Sequence, residues 1–304
     1  EEYLLEPWQR CDALWYLGIA EEGYGYNHYA GDTVFPPLYP ALIRSVGLVF
    51  GGNYVLAATL VSNAAAFTAL FLLFKLVDLE LNRTTARRTT LYMAVSPVSF
   101  FLFAGYSESL FLALSIAALY YVRQGHWGRA GLMALFATWA RTSGWLLAIP
   151  FLFEYIQPRE VIRPPPTALL SVAAAPLGLG MFVLFRELAG FPPLAALYST
   201  YWRTRVVWPW QSLLAASHHV LSGEFHIADL FDLISTCIFI GLAVAGWRRI
   251  PTSYSLYLLA GILYPLTRLK VPEYPLQSQS RYLLVLVPAF RILAQWGERP
   301  WVNR

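Results

Sequence analysis

Long apolar runs separated by short polar stretches dominate the chain after residue 53. They occupy 54–77, 89–105, 107–122, 130–156, 166–187, 228–247, 253–267 and 281–297. A helix needs about 20 apolar residues to cross a bilayer, with a range of about 17–25. Each run therefore predicts a span, although several are short. The run 38–52 reads either as a short span or as a helix on the membrane surface. The expected fold is all-α, a polytopic membrane helix bundle of about 8–10 spans with broken helices.

The polar breaks set the orientation. Arg83, Arg87, Arg88, Arg123, Arg129, Arg159, Arg163, Arg248, Arg249, Arg299 and Arg304 cluster between or after the spans. If these segments are cytoplasmic, residues 1–37 form a first exterior loop and 188–227 a large exterior one. With 38–52 on the surface, alternation holds only if 130–156 does not cross once. Its middle reads Ala140-Arg141-Thr142-Ser143-Gly144. Twelve residues rise to that point and about twelve descend, so each arm spans roughly 18 Å, too short to cross. The expectation is two half-helices meeting at a polar turn that lines a cavity. One long helix with a buried arginine is the alternative. The exterior face then collects 1–37, the turn 104–109, the Arg141 turn, 188–227 and 268–280. The whole chain, 1–304, reads as one integral membrane domain.

Composition agrees with the pattern. Hydrophobic residues make up 57% and charged residues 13% of the 304, against about 25% charged in soluble domains. This excludes an ordinary soluble protein. Aromatics reach 16% and the formal charge is +4. Cys11 and Cys237 make no disulfide framework. There is no Walker loop, dinucleotide fingerprint or metal-ligand spacing. His218 and His219 are adjacent, so on a helix they cannot face one metal together.

Several exterior residues carry chemistry. Asp12 stands among aromatics and can serve as a general base or as a helix cap for 13–22. The segment Val34-Phe35-Pro36-Pro37-Leu38-Tyr39-Pro40 is stiffened by its prolines. Tyr39 there can line a site or anchor at the interface. Ser107 and Glu108 open a span, as substrate contacts or as a cap and a dipole-favoured acid. Arg141 and Arg281 lie near the bilayer, where a charge costs about 2.5–3.5 kcal/mol and must face a cavity or a partner. They suit an anionic lipid phosphate, or else salt bridges to Glu108 or Asp12. Arg10 and Tyr282 are neighbours counted with the substrate contacts. Trp202, Trp208 and Trp210, with Arg203 and Arg205, read as an amphipathic interfacial piece.

These blocks also occur together and in order. "DALWYLGIAEEGY", "FPPLYP", "SPVSFFLFAGYSESLF", "ARTSG" and "RYLLVLVPAF" resemble the PIG-V-like mannosyltransferases. These are relatives of the enzyme that adds the second mannose to GPI anchors, within the C-type glycosyltransferases that use lipid-linked sugars. The resemblance runs from about residue 8 to 290. That family has a spanning helix before its opening loop, so this chain is expected to lack an N-terminal one. The family's Trp-Asp is Cys11-Asp12 here, and Pro36 stands where a second Phe is common.

The resemblance implies an inverting transfer of a sugar, mannose, from a polyprenyl- or dolichyl-phosphate donor to an acceptor hydroxyl at the exterior membrane face. The acceptor would be a lipid, glycan or protein. Asp12 would be the base, with Arg141 and Arg281 at the phosphate. It implies no cofactor beyond the lipid-phosphate sugar, no nucleic acid, and membrane lipids as surroundings. The location would be the cell membrane in a bacterium or the endoplasmic reticulum membrane in a eukaryote. A membrane transporter or lipid flippase is the rival class, since broken helices and buried arginines suit it too. A scaffold subunit is a third.

Overall fold

The computed structural model describes residues 11–26, 30–158, 164–223, 225–270, 274–276 and 278–298. Arg10, Arg159, Arg163, Arg299 and Arg304 lie outside them. The helices are α1 (Asp12–Glu22), α2 (Leu38–Val49), α3 (Tyr54–Glu80), α4 (Arg83–Ala94), α5 (Phe100–Phe103), α6 (Glu108–Arg123), α7 (Trp127–Ala140), α8 (Ala148–Ile156), α9 (Ala168–Leu188), α10 (Leu194–Thr200), α11 (Pro209–Leu221), α12 (Ile227–Gly246), α13 (Thr252–Leu266), α14 (Gln279–Leu284) and α15 (Val287–Trp296). One two-stranded antiparallel ribbon, β1 (Thr204–Val206) with β2 (Arg268–Lys270), completes an otherwise helical bundle. Among the described residues three helices, α3, α9 and α12, are long and apolar enough to cross a membrane, and the chain is a membrane protein.

Small residues let the central helices approach closely, as membrane helices do. On α3 the buried face reads Ala57, Ala58, Ser62, Ala65, Ala66, Ala69 and Leu73, while Phe67 and Phe71 point outward. It packs on α6, α6 packs on α7, and α7 packs on α9. At the α7–α9 crossing a Cβ on Gly131 would lie 2.8 Å from Ser171 Cα. The α2 helix is a short arm antiparallel to the start of α3. Tyr39 bonds Ser62 at 2.6 Å, and Tyr54 covers Gly47.

The run 130–156 is a re-entrant hairpin. Helix α7 stops where Arg141 becomes extended (φ −149°, ψ 134°). A 3-10 turn, Thr142–Leu147, leads into α8. Trp127, at the foot of α7, packs edge-on against Phe151 and Tyr155 of α8, at 6.1 and 6.4 Å. Both feet are therefore at one end of the bundle, and the single long helix is discarded. Two other expected spans prove broken. The run 89–105 divides into α4 and the one-turn α5 around Pro97, which has no N–H to donate. The run 281–297 divides into α14 and α15 at Leu286 (φ −86°, ψ 75°), and Pro288 sits in the first turn of α15, where its missing N–H costs no helical bond.

The opposite end of α6 carries an ionic knot absent from the expectations above. Glu80 receives Arg123 and Arg291, Glu154 receives Arg123, and Tyr254 donates to Glu80 at 2.7 Å. Ser253 donates to Glu154 at 2.6 Å. Apart from Arg291 on α15, these residues end α3, α6 and α8 and begin α13, so Arg83 and Arg129 in the first turns of α4 and α7, and Arg248 and Arg249 just before α13, share that end of the bundle.

Candidate active site

At the other end of α6, four buried or half-buried charges meet. Arg281 Nη2 donates to Asp12 Oδ2 at 2.6 Å. Its Nε donates to Glu108 Oε1, and Arg141 Nη1 pairs with that same oxygen. The two carboxylates and two guanidiniums form a neutral group. Aromatic faces cover the arginines: Arg281 sits 4.9 Å from the Tyr106 ring centre and 5.4 Å from Phe101, and Arg141 sits 5.0 Å from Tyr282. A cation over a ring face is stabilised by the ring's quadrupole, more so away from water.

Local structure explains how each group arrives. Asp12 opens α1 as its first helical residue, behind Cys11 at the cap position, so it is not the cap. The preceding Cys11 takes a left-handed conformation (φ 52°), which is costly for a residue with a Cβ and accompanies functional positions. Ser107 stands at the N-cap of α6 without capping it; its hydroxyl is 2.8 Å from the Tyr16 hydroxyl. Burial, with Asp12 and Glu108 nearby, pushes the Tyr16 phenol up from its ordinary range. It therefore stays a neutral hydrogen-bonding group. Burial likewise pushes Tyr106 up to about 12. Arg141 arrives on the re-entrant turn, and Arg281 on the six-residue α14.

Asp12, Arg281 and Tyr282 line a cavity of about 440 Å³. Its other walls come from Val34 and Phe35, from Tyr198 and Trp202, from Asp229 and Asp232 on α12, and from Tyr264, Arg268 and Lys270. Three of the five segments expected on one face thus line it directly, and the turn 104–109 and the Arg141 turn join behind them through Glu108. The remaining expected site residues stand behind the walls. Ser107, Glu108 and Tyr39 are fully buried, and Arg141 nearly so. Tyr39 is furthest back, bonded to Ser62 and packed edge-on against Tyr16 at 4.8 Å. It supports the aromatic floor and does not line the cavity. Arg10 lies outside the described residues.

Sequence reading missed Asp232, Tyr198, Tyr264, Arg268 and Lys270. Asp232 lies in the apolar run 228–247 and accepts the Ser280 N–H at 2.9 Å. An acid inside an apolar span was a usable signal. Arg268 and Lys270 gave no motif; the ribbon alone brings them to the cavity. His219 lies 3.5 Å from Asp229. Among the described residues no group of three or more His, Cys, Asp or Glu is arranged for a metal.

Comparison with known proteins adds an independent line. The profile of the family described as Mannosyltransferase (PIG-V) matches residues 1–157. GPI mannosyltransferase 2 of Yarrowia lipolytica is 33% identical over 146 residues, covering 47% of this chain and 39% of that protein. GPI alpha-1,6-mannosyltransferase 2 of Homo sapiens is 33% identical over 163 residues, covering 50% of this chain and 32% of that protein. GPI mannosyltransferase 2 of Schizosaccharomyces pombe is 29% identical over 147 residues, or 46% of this chain and 30% of that protein. The chain thus spans between 30% and 39% of these relatives' lengths. No solved structure matches. Asp12, Tyr39, Ser107, Glu108 and Arg141 fall inside the profile match, whereas Arg281 and Tyr282 fall beyond it.

Proposed function

Because the chain belongs to the PIG-V mannosyltransferase family, we propose that it is an inverting glycosyltransferase. It moves a sugar, mannose, from a polyprenyl-phosphate donor to an acceptor hydroxyl at the exterior membrane face. The observation that carries the reading is Asp12 on the wall of a large cavity, held through Oδ2 by Arg281. The Asp12 side chain is part-exposed on that wall, so the carboxylate is within reach of an acceptor hydroxyl in the cavity. The basic loops gather at the opposite end of the bundle, which supports an exterior site.

The chemistry follows from those positions. The acceptor O–H gives its proton to Asp12 as its oxygen bonds to the sugar's anomeric carbon. Attack comes from the face opposite the phosphate, the carbon–oxygen bond to phosphate breaks, and its electron pair leaves with the phosphate. Configuration at that carbon inverts. A lipid phosphate is already a stable anion, so cationic neighbours suffice where a general acid is otherwise needed. Arg281 acts by positioning the base, and Glu108 with Arg141 hold Arg281 in turn.

The test is sugar transfer by the purified full-length protein in nanodiscs, from polyprenyl-phosphate mannose. Asp12→Asn should lower transfer about 10²–10⁴-fold while donor binding stays within a factor of two or so. Full transfer by Asp12→Asn would remove the base assignment. A wild-type protein that carries the lipid across the bilayer without transferring sugar would favour the transporter class.

A further inference from the structure

The charges on the cavity wall are not equally occupied. Among the described residues three cations line it: Arg268, Lys270 and Arg281. Arg281 already holds both Asp12 and Glu108. Arg141 is spent on Glu108 and is buried behind Tyr282. Placing a phosphate on either would add an anion to a neutral group. Asp229 and Asp232 are also engaged, with the backbone N–H groups of His226 at 3.0 Å and Ser280 at 2.9 Å.

Arg268 and Lys270 differ. They sit two apart on β2, so their side chains leave the same face of the strand. Both line the cavity. Among the described residues neither has a carboxylate within ion-pair distance. The Arg268 guanidinium lies 4.2 Å from the Tyr198 ring centre and donates to the Tyr264 hydroxyl at 3.1 Å. That aromatic contact fixes the plane of the fork and leaves further N–H donors for a ligand. A fixed guanidinium fork recognises phosphate bidentately, and an ammonium beside it adds a point charge.

We propose that Arg268 and Lys270 form the phosphate subsite of the cavity, while Arg141 and Arg281 position the base. This rests on the lipid-phosphate reading above and names its anion-binding residues. The arrangement also suits the leaving group, because phosphate gains negative charge as the sugar departs. Two cations with no ion-pair partner among the described residues can hold that charge where the paired quartet cannot.

The experiment titrates the full-length protein in zwitterionic nanodiscs with three probes: polyprenyl phosphate, the uncharged polyprenol, and inorganic phosphate. The wild type should bind polyprenyl phosphate at least about tenfold tighter than polyprenol, and inorganic phosphate should compete weakly. Arg268→Gln and Lys270→Gln should each cut that preference by about tenfold. Arg268→Lys should restore part of it. Arg141→Lys should leave it intact. Gel-filtration profile and melting temperature check each variant, and the two single sites give independent readings if one misfolds. If the preference survives in both Gln variants and vanishes in Arg281→Gln, this inference is wrong and the lipid-phosphate reading stands. If the wild type binds phosphate and alcohol alike, the lipid-phosphate reading itself fails. If inorganic phosphate competes as well as the lipid does, the site serves free phosphate and the lipid source is overturned.

Discussion

Asp32 is fully buried in the 3-10 turn Gly31–Val34, close beside the aromatic floor of the site. Its Oδ2 accepts the Gly25 N–H at 2.5 Å, while Oδ1 has no partner among the described residues. Burial raises its pKa above the ordinary 3.8, against the backbone bonds and Arg186, which lower it. The sign follows. An acid whose folded pKa is raised favours the protonated folded state, so stability falls as pH climbs from the ordinary value through the raised one. Asp32→Asn should remove that part of the slope. Melting curves of both proteins between roughly pH 4 and pH 7 check it, and an unchanged slope in the variant refutes it. Asp12, Glu108, Arg141 and Arg281 were legible because charges in greasy surroundings stand out one by one. Their pairing was legible only as an alternative, since sequence does not say which carboxylate reaches which guanidinium. Asp32 was given no role, because an acid in a polar loop reads as solvated.

At the scale of elements, the re-entrant hairpin was readable because its polar turn interrupts an apolar run too long for one span and too short for two. The breaks at Pro97 and Pro288 were also printed in the sequence, but hydropathy reads straight across a single proline. The β1–β2 ribbon was not readable: three-residue strands joined across more than sixty positions leave no local pattern. The hairpin makes its own prediction. A Cβ on Gly144 would lie 2.5 Å from the Thr138 backbone nitrogen, and backbone cannot step aside as a side chain can. Gly144→Ala should cost about 1–3 kcal/mol, seen as a lower melting temperature. It should also reduce sugar transfer, because the Arg141 turn is pushed away from Glu108. Wild-type melting and activity in that variant would show the turn to be loosely packed.

Across the whole molecule, helix α6 links the two charged groups. Glu108 begins it and Arg123 ends it, roughly 22 Å apart at 1.5 Å per residue. The far knot draws on residues 80, 123, 154, 253, 254 and 291, a set with no spacing to betray it. Removing one partner from a buried ion group leaves an uncompensated charge and costs about 3–5 kcal/mol. Arg291→Leu should therefore destabilise by that order in thermal melts, while the folded fraction keeps its preference for phosphate over alcohol. Loss of that preference would mean that the two ends are coupled. A helix pinned at both tips also has its phase fixed as well as its length. One residue added between positions 109 and 122 would rotate one tip about 100° against the other, turning either the carboxylate away from its arginines or the arginine away from its acids. Substitutions along this rod can be absorbed by repacking, but a change in its residue number has no rotation that satisfies both tips.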